Sequence, residues 1–135
     1  MAGKRVGPAE IERVLVNHSA VSEAATIGVP DEIKGQAVVA FAVLQPGTEP
    51  EKALRKELDT LISKEMGKPF APKEVRFVRD LPKTRNAKLV RRVIRAAYLG
   101  EPPGELSALV HPASVDEIRE AGEARDVEVR NPKGI

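Results

Sequence analysis

Basic side chains crowd the run from Leu81 to Arg92: Lys83, Arg85, Lys88, Arg91 and Arg92. Side chains of this type do one kind of chemistry well, which is to hold and neutralise an anion. Pro82 fixes φ and has no N–H to give a sheet, so a strand arriving from before it must stop there. Thr84 and Asn86 favour turns and caps over helix interiors. From Leu89 the pattern turns helical. Leu89, Val90, Val93, Ile94 and Ala97 fall on one face, Arg91, Arg95 and Tyr98 opposite, and Arg92 at the edge. Lys83, Arg85 and Lys88 therefore precede a helix N-terminus, where the peptide dipoles are already positive. That placement is unfavourable unless an anion is present, and phosphate is the obvious candidate.

The rest of the composition narrows the chemistry. With no Cys, the chain has neither disulfides nor thiolate catalysis. His18 and His111 are its two histidines, so a histidine-rich metal site is not expected. Net charge is +2 although 31% of residues are charged, which argues against a dedicated nucleic-acid binder. Aromatic side chains for stacking bases are absent from the Arg85–Arg95 stretch. No apolar run approaches membrane-spanning length, and no signal peptide is visible. A cytoplasmic protein without nucleic-acid or membrane partners is the expectation. At 135 residues with 3% aromatics, a single modest core must be built from Val, Leu, Ile and Ala.

The elements that must position the basic run follow from periodicity. Gly7-Pro8 starts a helix, and Ile11, Val14, Leu15 and His18 continue it to about residue 17. Glu10 and Glu12 complement its dipole, and His18 is a helix-end residue rather than a base. Val21, Glu23, Ala25, Ile27 and Val29 alternate as a half-buried strand. Residues 31–36 read as a turn, and the unbroken apolar run from Ala37 to Leu44 as a strand covered on both faces. Thr48 with Glu51 suggests a capping box ahead of an amphipathic helix that ends near Gly67. Val75 and Phe77 mark a short strand that delivers the basic loop. The expected fold is α+β, with a small three-stranded sheet from about 20–29, 36–45 and 74–79. Helices near 8–17, 50–66 and 88–98 pack with it. The cluster Gly100-Glu101-Pro102-Pro103-Gly104 breaks the pattern, so residues 1–100 read as one domain and 101–135 as an extension. Within that extension a short helix starts at Ser114, boxed by Glu117, with Val115, Ile118 and Ala121 as its stripe.

Two stretches carry a resemblance to a known family. Leu81-Pro82-Lys83-Thr84-Arg85-Asn86-Ala87-Lys88, with Arg91-Arg92, resembles the catalytic-lysine loop of adenylate-forming acyl-CoA synthetases, which reads Pro-Lys-Thr-Arg-Ser-Gly-Lys. Asn86 and Ala87 stand where the family has Ser and Gly. Gly3-Lys4-Arg5-Val6-Gly7-Pro8-Ala9-Glu10-Ile11-Glu12 is similar to the segment just after the hinge in the same family, most closely its acetyl-CoA synthetase-like branch. Gly28 to Gln36 is again similar to acetyl-CoA synthetases. Motifs of one family in the right order are far more specific than any one alone.

The resemblance implies the mobile C-terminal domain of an AMP-forming acyl-CoA ligase. The parent reaction joins a carboxylate and ATP into an acyl-adenylate and pyrophosphate, and then forms a thioester and AMP with CoA. It implies Lys88 as the catalytic lysine of the first step. Arg5 is implied as a nucleotide-phosphate contact, and Gly3 as lining the CoA thiol channel in the second step. Ser63 stands where the family often has a basic residue for the CoA nucleotide, just before Lys64-Glu65-Met66-Gly67, so that contact is lost or passes to Lys64. The expected partner is the large N-terminal adenylation domain, which would hold ATP, the acyl group and most of the contacts to Mg2+. No ligand or metal is expected to stay on this domain alone, and alone it should turn nothing over. A protein acetyltransferase acting on Lys88 is a further implied partner. The rival reading from another class is a stand-alone, non-catalytic domain that binds or regulates a partner protein.

Overall fold

The computed structural model describes residues 8–31, 35–67, 71–86 and 88–130. Within them the chain runs α1 (Pro8–Val16), β1 (Val21–Asp31), β2 (Gly35–Leu44), α2 (Lys52–Met66), β3 (Glu74–Phe77), α3 (Arg91–Leu99) and α4 (Ser114–Arg130). The chain divides after Val78 into two compact units.

The first unit holds the three-stranded sheet, ordered β1-β2-β3. β1 pairs with β2 antiparallel, Thr26 opposite Ala40, and β2 pairs with β3 parallel, Ala40 opposite Val75. The parallel pair needs a crossover, and α2 is that crossover. As the unbroken apolar run required, the central strand β2 is buried on both faces: Val39, Ala40, Phe41 and Ala42 expose 0% each. β1 departs from the simple alternation. Its register shifts between Val21 and Glu23, and the consecutive residues Ala24, Ala25, Thr26 and Ile27 all lie buried, so both faces of the strand are covered there. α1 and α2 close the core with Ile11, Leu15, Leu58 and Ile62. Each such side chain contributes on the order of 1.5–3 kcal/mol by leaving water.

Two polar expectations for this unit are corrected. Thr48 does not cap α2; its N–H bonds to Gln45 O at 3.0 Å in the preceding turn. The helix starts later, with Glu51 as N-cap and no side-chain cap bond. Nor does Glu12 serve its own helix dipole. Glu12 is 8% exposed, and its Oε2 accepts the Thr26 N–H at 2.8 Å. His18 keeps its helix-end role: it follows α1, takes the Ala20 N–H on Nδ1 at 3.0 Å, and bonds through Nε2 to Glu57 on α2.

The second unit buries Leu81, Val93, Ile94, Ala97, Tyr98, Leu109, Val115 and Ile118. Tyr98 is 2% exposed, not out with Arg91 and Arg95. It sits four residues after Ile94, on the same row of the helix. α3 stops at Gly100, whose φ of 75° is left-handed. Glu101 N–H reaches back to Ala96 O at 2.8 Å, which satisfies an end carbonyl. α4 is longer than the short helix expected and packs on α3. Gly122 makes this possible, since a Cβ there would lie 1.9 Å from Tyr98 O. Ser114 opens α4 without the expected box: its Oγ donates to His111 O at 2.8 Å, and Glu117 turns away to Arg79.

Candidate active site

The basic run is a narrow hairpin rather than an open loop entering a helix. Lys83 pairs antiparallel with Leu89. Thr84 N–H donates to Lys88 O at 3.0 Å, and Val90 N–H donates to Pro82 O at 3.2 Å. Leu89 and Val90 are thus spent on the hairpin, and α3 starts only at Arg91 with Val90 as its N-cap. Arg85 and Asn86 form the exposed tip, and Lys88 is exposed just beyond it. Ala87 lies outside the described residues. The first turn of α3 has no acidic residue and no side-chain cap bond, so the helix has no acidic side chain of its own there to offset its positive end.

The two lysines of the hairpin differ in their surroundings. Lys83 Nζ lies 3.4 Å from Asp80 Oδ1. Lys88 has no ion-pair or hydrogen-bond partner for its side chain among the described residues. Asp80 also takes the Leu81 N–H at 2.8 Å and the His111 Nδ1–H at 3.0 Å. Burial works against its charge, but the His111 ring, the Leu81 N–H and the Lys83 ammonium outweigh it, holding the carboxyl below its ordinary value. Asp80, Lys83, Arg85 and His111 line a concavity of about 250 Å³ beside the hairpin. Neither Asp80 nor His111 stood out in the sequence as a site residue. Their pairing joins positions 31 apart, which no local spacing reveals.

The other expected site residues fall elsewhere. Lys64, in the last turn of α2, is exposed and lines a groove of about 510 Å³ with His18, Lys56, Glu57 and Thr60. Ser63 beside it turns its hydroxyl onto its own helix, donating to Asp59 O at 3.2 Å. Lys64 belongs to the first unit and Lys88 to the second. Gly3 and Arg5 lie outside the described residues. Among the described residues no group of three His, Asp or Glu side chains is placed to hold a metal ion, and no helix is long and apolar enough to cross a membrane.

With this geometry in view, the family is plain: the chain belongs to the AMP-binding enzyme C-terminal domain family, whose model matches residues 10–88 and so ends on Lys88. It is 48% identical over 118 residues to the acetyl-coenzyme A synthetase of Methanothrix soehngenii, covering 87% of this chain and 18% of that protein. It is 44% identical over 123 residues to the 3-hydroxypropionyl-coenzyme A synthetase of Sulfurisphaera tokodaii, covering 91% and 18%. Among solved structures, the acyl-CoA synthetase of Brucella canis matches with a TM-score of 0.65 at 40% identity, over 71% of this chain and 18% of that one. The acetoacetyl-CoA synthetase of Streptomyces lividans matches in fold, with a TM-score of 0.74 at 21% identity, over 90% and 18%. The chain thus spans less than a fifth of the length of these relatives.

Proposed function

We propose that this chain supplies the catalytic lysine to an AMP-forming acyl-CoA synthetase, acting with a large adenylation domain that binds ATP and a short carboxylic acid of the acetate type. The observation that carries this reading is the contrast within the hairpin: Lys83 is held against Asp80, whereas Lys88 is exposed and unpartnered among the described residues. An ammonium held ready in this way can neutralise the charge that develops on phosphate and carboxylate oxygens as the acyl-adenylate forms and pyrophosphate leaves. In this reading Mg2+ accompanies the nucleotide on the adenylation domain.

The second half-reaction, thioester formation with CoA, falls in this reading to Gly3 and Arg5 on the opening segment. Lys64 then meets the CoA nucleotide in place of the residue that Ser63 replaces. One domain serves both steps by turning about a hinge. Acetylation of Lys88 by a protein acetyltransferase would remove the charge and silence the first step. The test grafts this chain in place of the C-terminal fifth of the Methanothrix soehngenii enzyme and follows acetate-dependent pyrophosphate exchange. Lys88→Ala is expected to lose on the order of a hundred- to a thousandfold, as for one preorganised donor, and to keep thioester formation from preformed adenylate. Parental exchange by Lys88→Ala would show that the hairpin is only a basic surface.

A further inference from the structure

The Lys88 hairpin has little of its own to hold it. Its rungs are Thr84 N–H to Lys88 O and Val90 N–H to Pro82 O. Pro82 sits at the start of one arm. Two short strands with so few bonds are marginal in water, and a third strand or a packed face is needed for a fixed geometry.

Leu109 and Val110 supply that third strand, and the residues after them, to Glu117, continue the attachment. Thr84 pairs antiparallel with Leu109, and Val110 N–H donates to Lys83 O at 3.0 Å, on the edge of the arm that faces away from Lys88. Leu109 is 8% exposed and anchors the segment. Below the hairpin, His111 Nδ1 meets Asp80 Oδ2 at 3.0 Å while Asp80 Oδ1 takes Leu81 N–H. Further along, Glu117 Oε1 accepts the Arg79 N–H at 2.8 Å. The arm leading to Lys88 is therefore tied at Arg79, Asp80, Lys83 and Thr84 by one later stretch of chain. That stretch lies wholly beyond the residues the family model matches.

We infer that residues 109–117 act as a strap that positions Lys88, with Asp80 and His111 as positioning residues. Its bearing on catalysis rests on the adenylation reading of Lys88; its bearing on the order of the hairpin does not. A misplacement of about 1 Å can cost on the order of a hundredfold in rate, so a loosened hairpin should tell on the first half-reaction while Lys88 itself is intact.

The test has two arms. In this chain, amide hydrogen exchange is measured for Asp80→Asn, His111→Ala and His111→Asn. The Asn amide can donate where Nδ1–H does. The first two variants should speed exchange at Thr84, Val90 and Val110 by at least about tenfold. His111→Asn should restore protection, and Ile27 in β1 should be unchanged throughout. In the grafted enzyme described above, Asp80→Asn and His111→Ala should lower kcat for pyrophosphate exchange by about ten- to a hundredfold, spare the thioester step and be rescued in His111→Asn. Unchanged amides in both variants overturn the strap, as does a loosened hairpin with parental pyrophosphate exchange. If Lys88→Ala in the same enzyme exchanges pyrophosphate normally, the adenylation reading falls and the amide arm alone decides for or against the strap.

Discussion

Lys88 and Lys83 are five residues apart and carry the same charge, yet their environments assign them different work. Lys83 is paired with Asp80 at partial exposure, an arrangement usually worth no more than about 1 kcal/mol. Lys83→Ala in the grafted enzyme should therefore stay within about tenfold of the parent in pyrophosphate exchange, against the far larger loss for Lys88→Ala. Asp80 gives the residue scale a pH signature. Its folded-state carboxyl lies below the ordinary 3.8, so its contribution is complete above that value and is lost as pH falls through the lowered one. Asp80→Asn should be less stable than the parent at neutral pH, and the gap should close below about pH 3.8 as the parental carboxylate takes up its proton. Acid titration of unfolding free energy checks this; a gap that stays constant down to about pH 2 would detach Asp80 from the strap. At this scale the sequence showed the cation and hid its supports. A lysine among basic residues is visible locally, whereas the Asp80–His111 and Glu12–Thr26 pairings join positions 31 and 14 residues apart.

The elements were legible wherever periodicity was strong. All three strands and the three helices expected to pack with them formed, with ends displaced by a few residues, while the short helix expected at Ser114 runs on to Arg130. The shifts have a common cause: backbone groups were claimed by partners that periodicity does not see. Leu89 and Val90 fit the α3 stripe but were taken by the hairpin, and Tyr98 was buried because α4 covers its side of α3. That covering depends on Gly122. Alanine would bring a helix-propensity gain of about 1 kcal/mol, but its Cβ would meet Tyr98 backbone, not a side chain that could swing aside. Backbone shifts of that kind cost about 1–3 kcal/mol or more. Gly122→Ala should therefore destabilise the second unit, and the chain provides its own probe. Tyr98 is its single tyrosine and there is no tryptophan, so intrinsic fluorescence reports that unit. A Gly122→Ala midpoint in urea at or above the parental one would show that the helices do not approach so closely.

At the scale of the whole molecule, the same chain carries a sheet-bearing unit and a smaller helical one that presents Lys88. The first was nearly all readable, because its strands and crossover follow in order along the chain. The second was half readable. The family model ends at Lys88, and the stretch that completes the unit had only turn residues and a thin apolar stripe to announce it. The buried bond from Glu12 to Thr26 N–H has a consequence for behaviour at high concentration. β1 is an edge strand of eleven residues, rich in small and apolar side chains, and a bare edge of that kind is a template for pairing with other chains. Thr26 lies on the outward-facing register of that edge, and Pro30, four residues on, shares the register and has no N–H to offer. Glu12 and Pro30 together blunt the edge, one by occupying a donor and the other by lacking one. Glu12→Ala should leave the soluble fold recognisable by circular dichroism while raising its tendency to form β-rich aggregates on concentration or gentle heating. Light scattering and thioflavin binding would detect this, and Glu12→Gln, which keeps an acceptor oxygen, should largely suppress it.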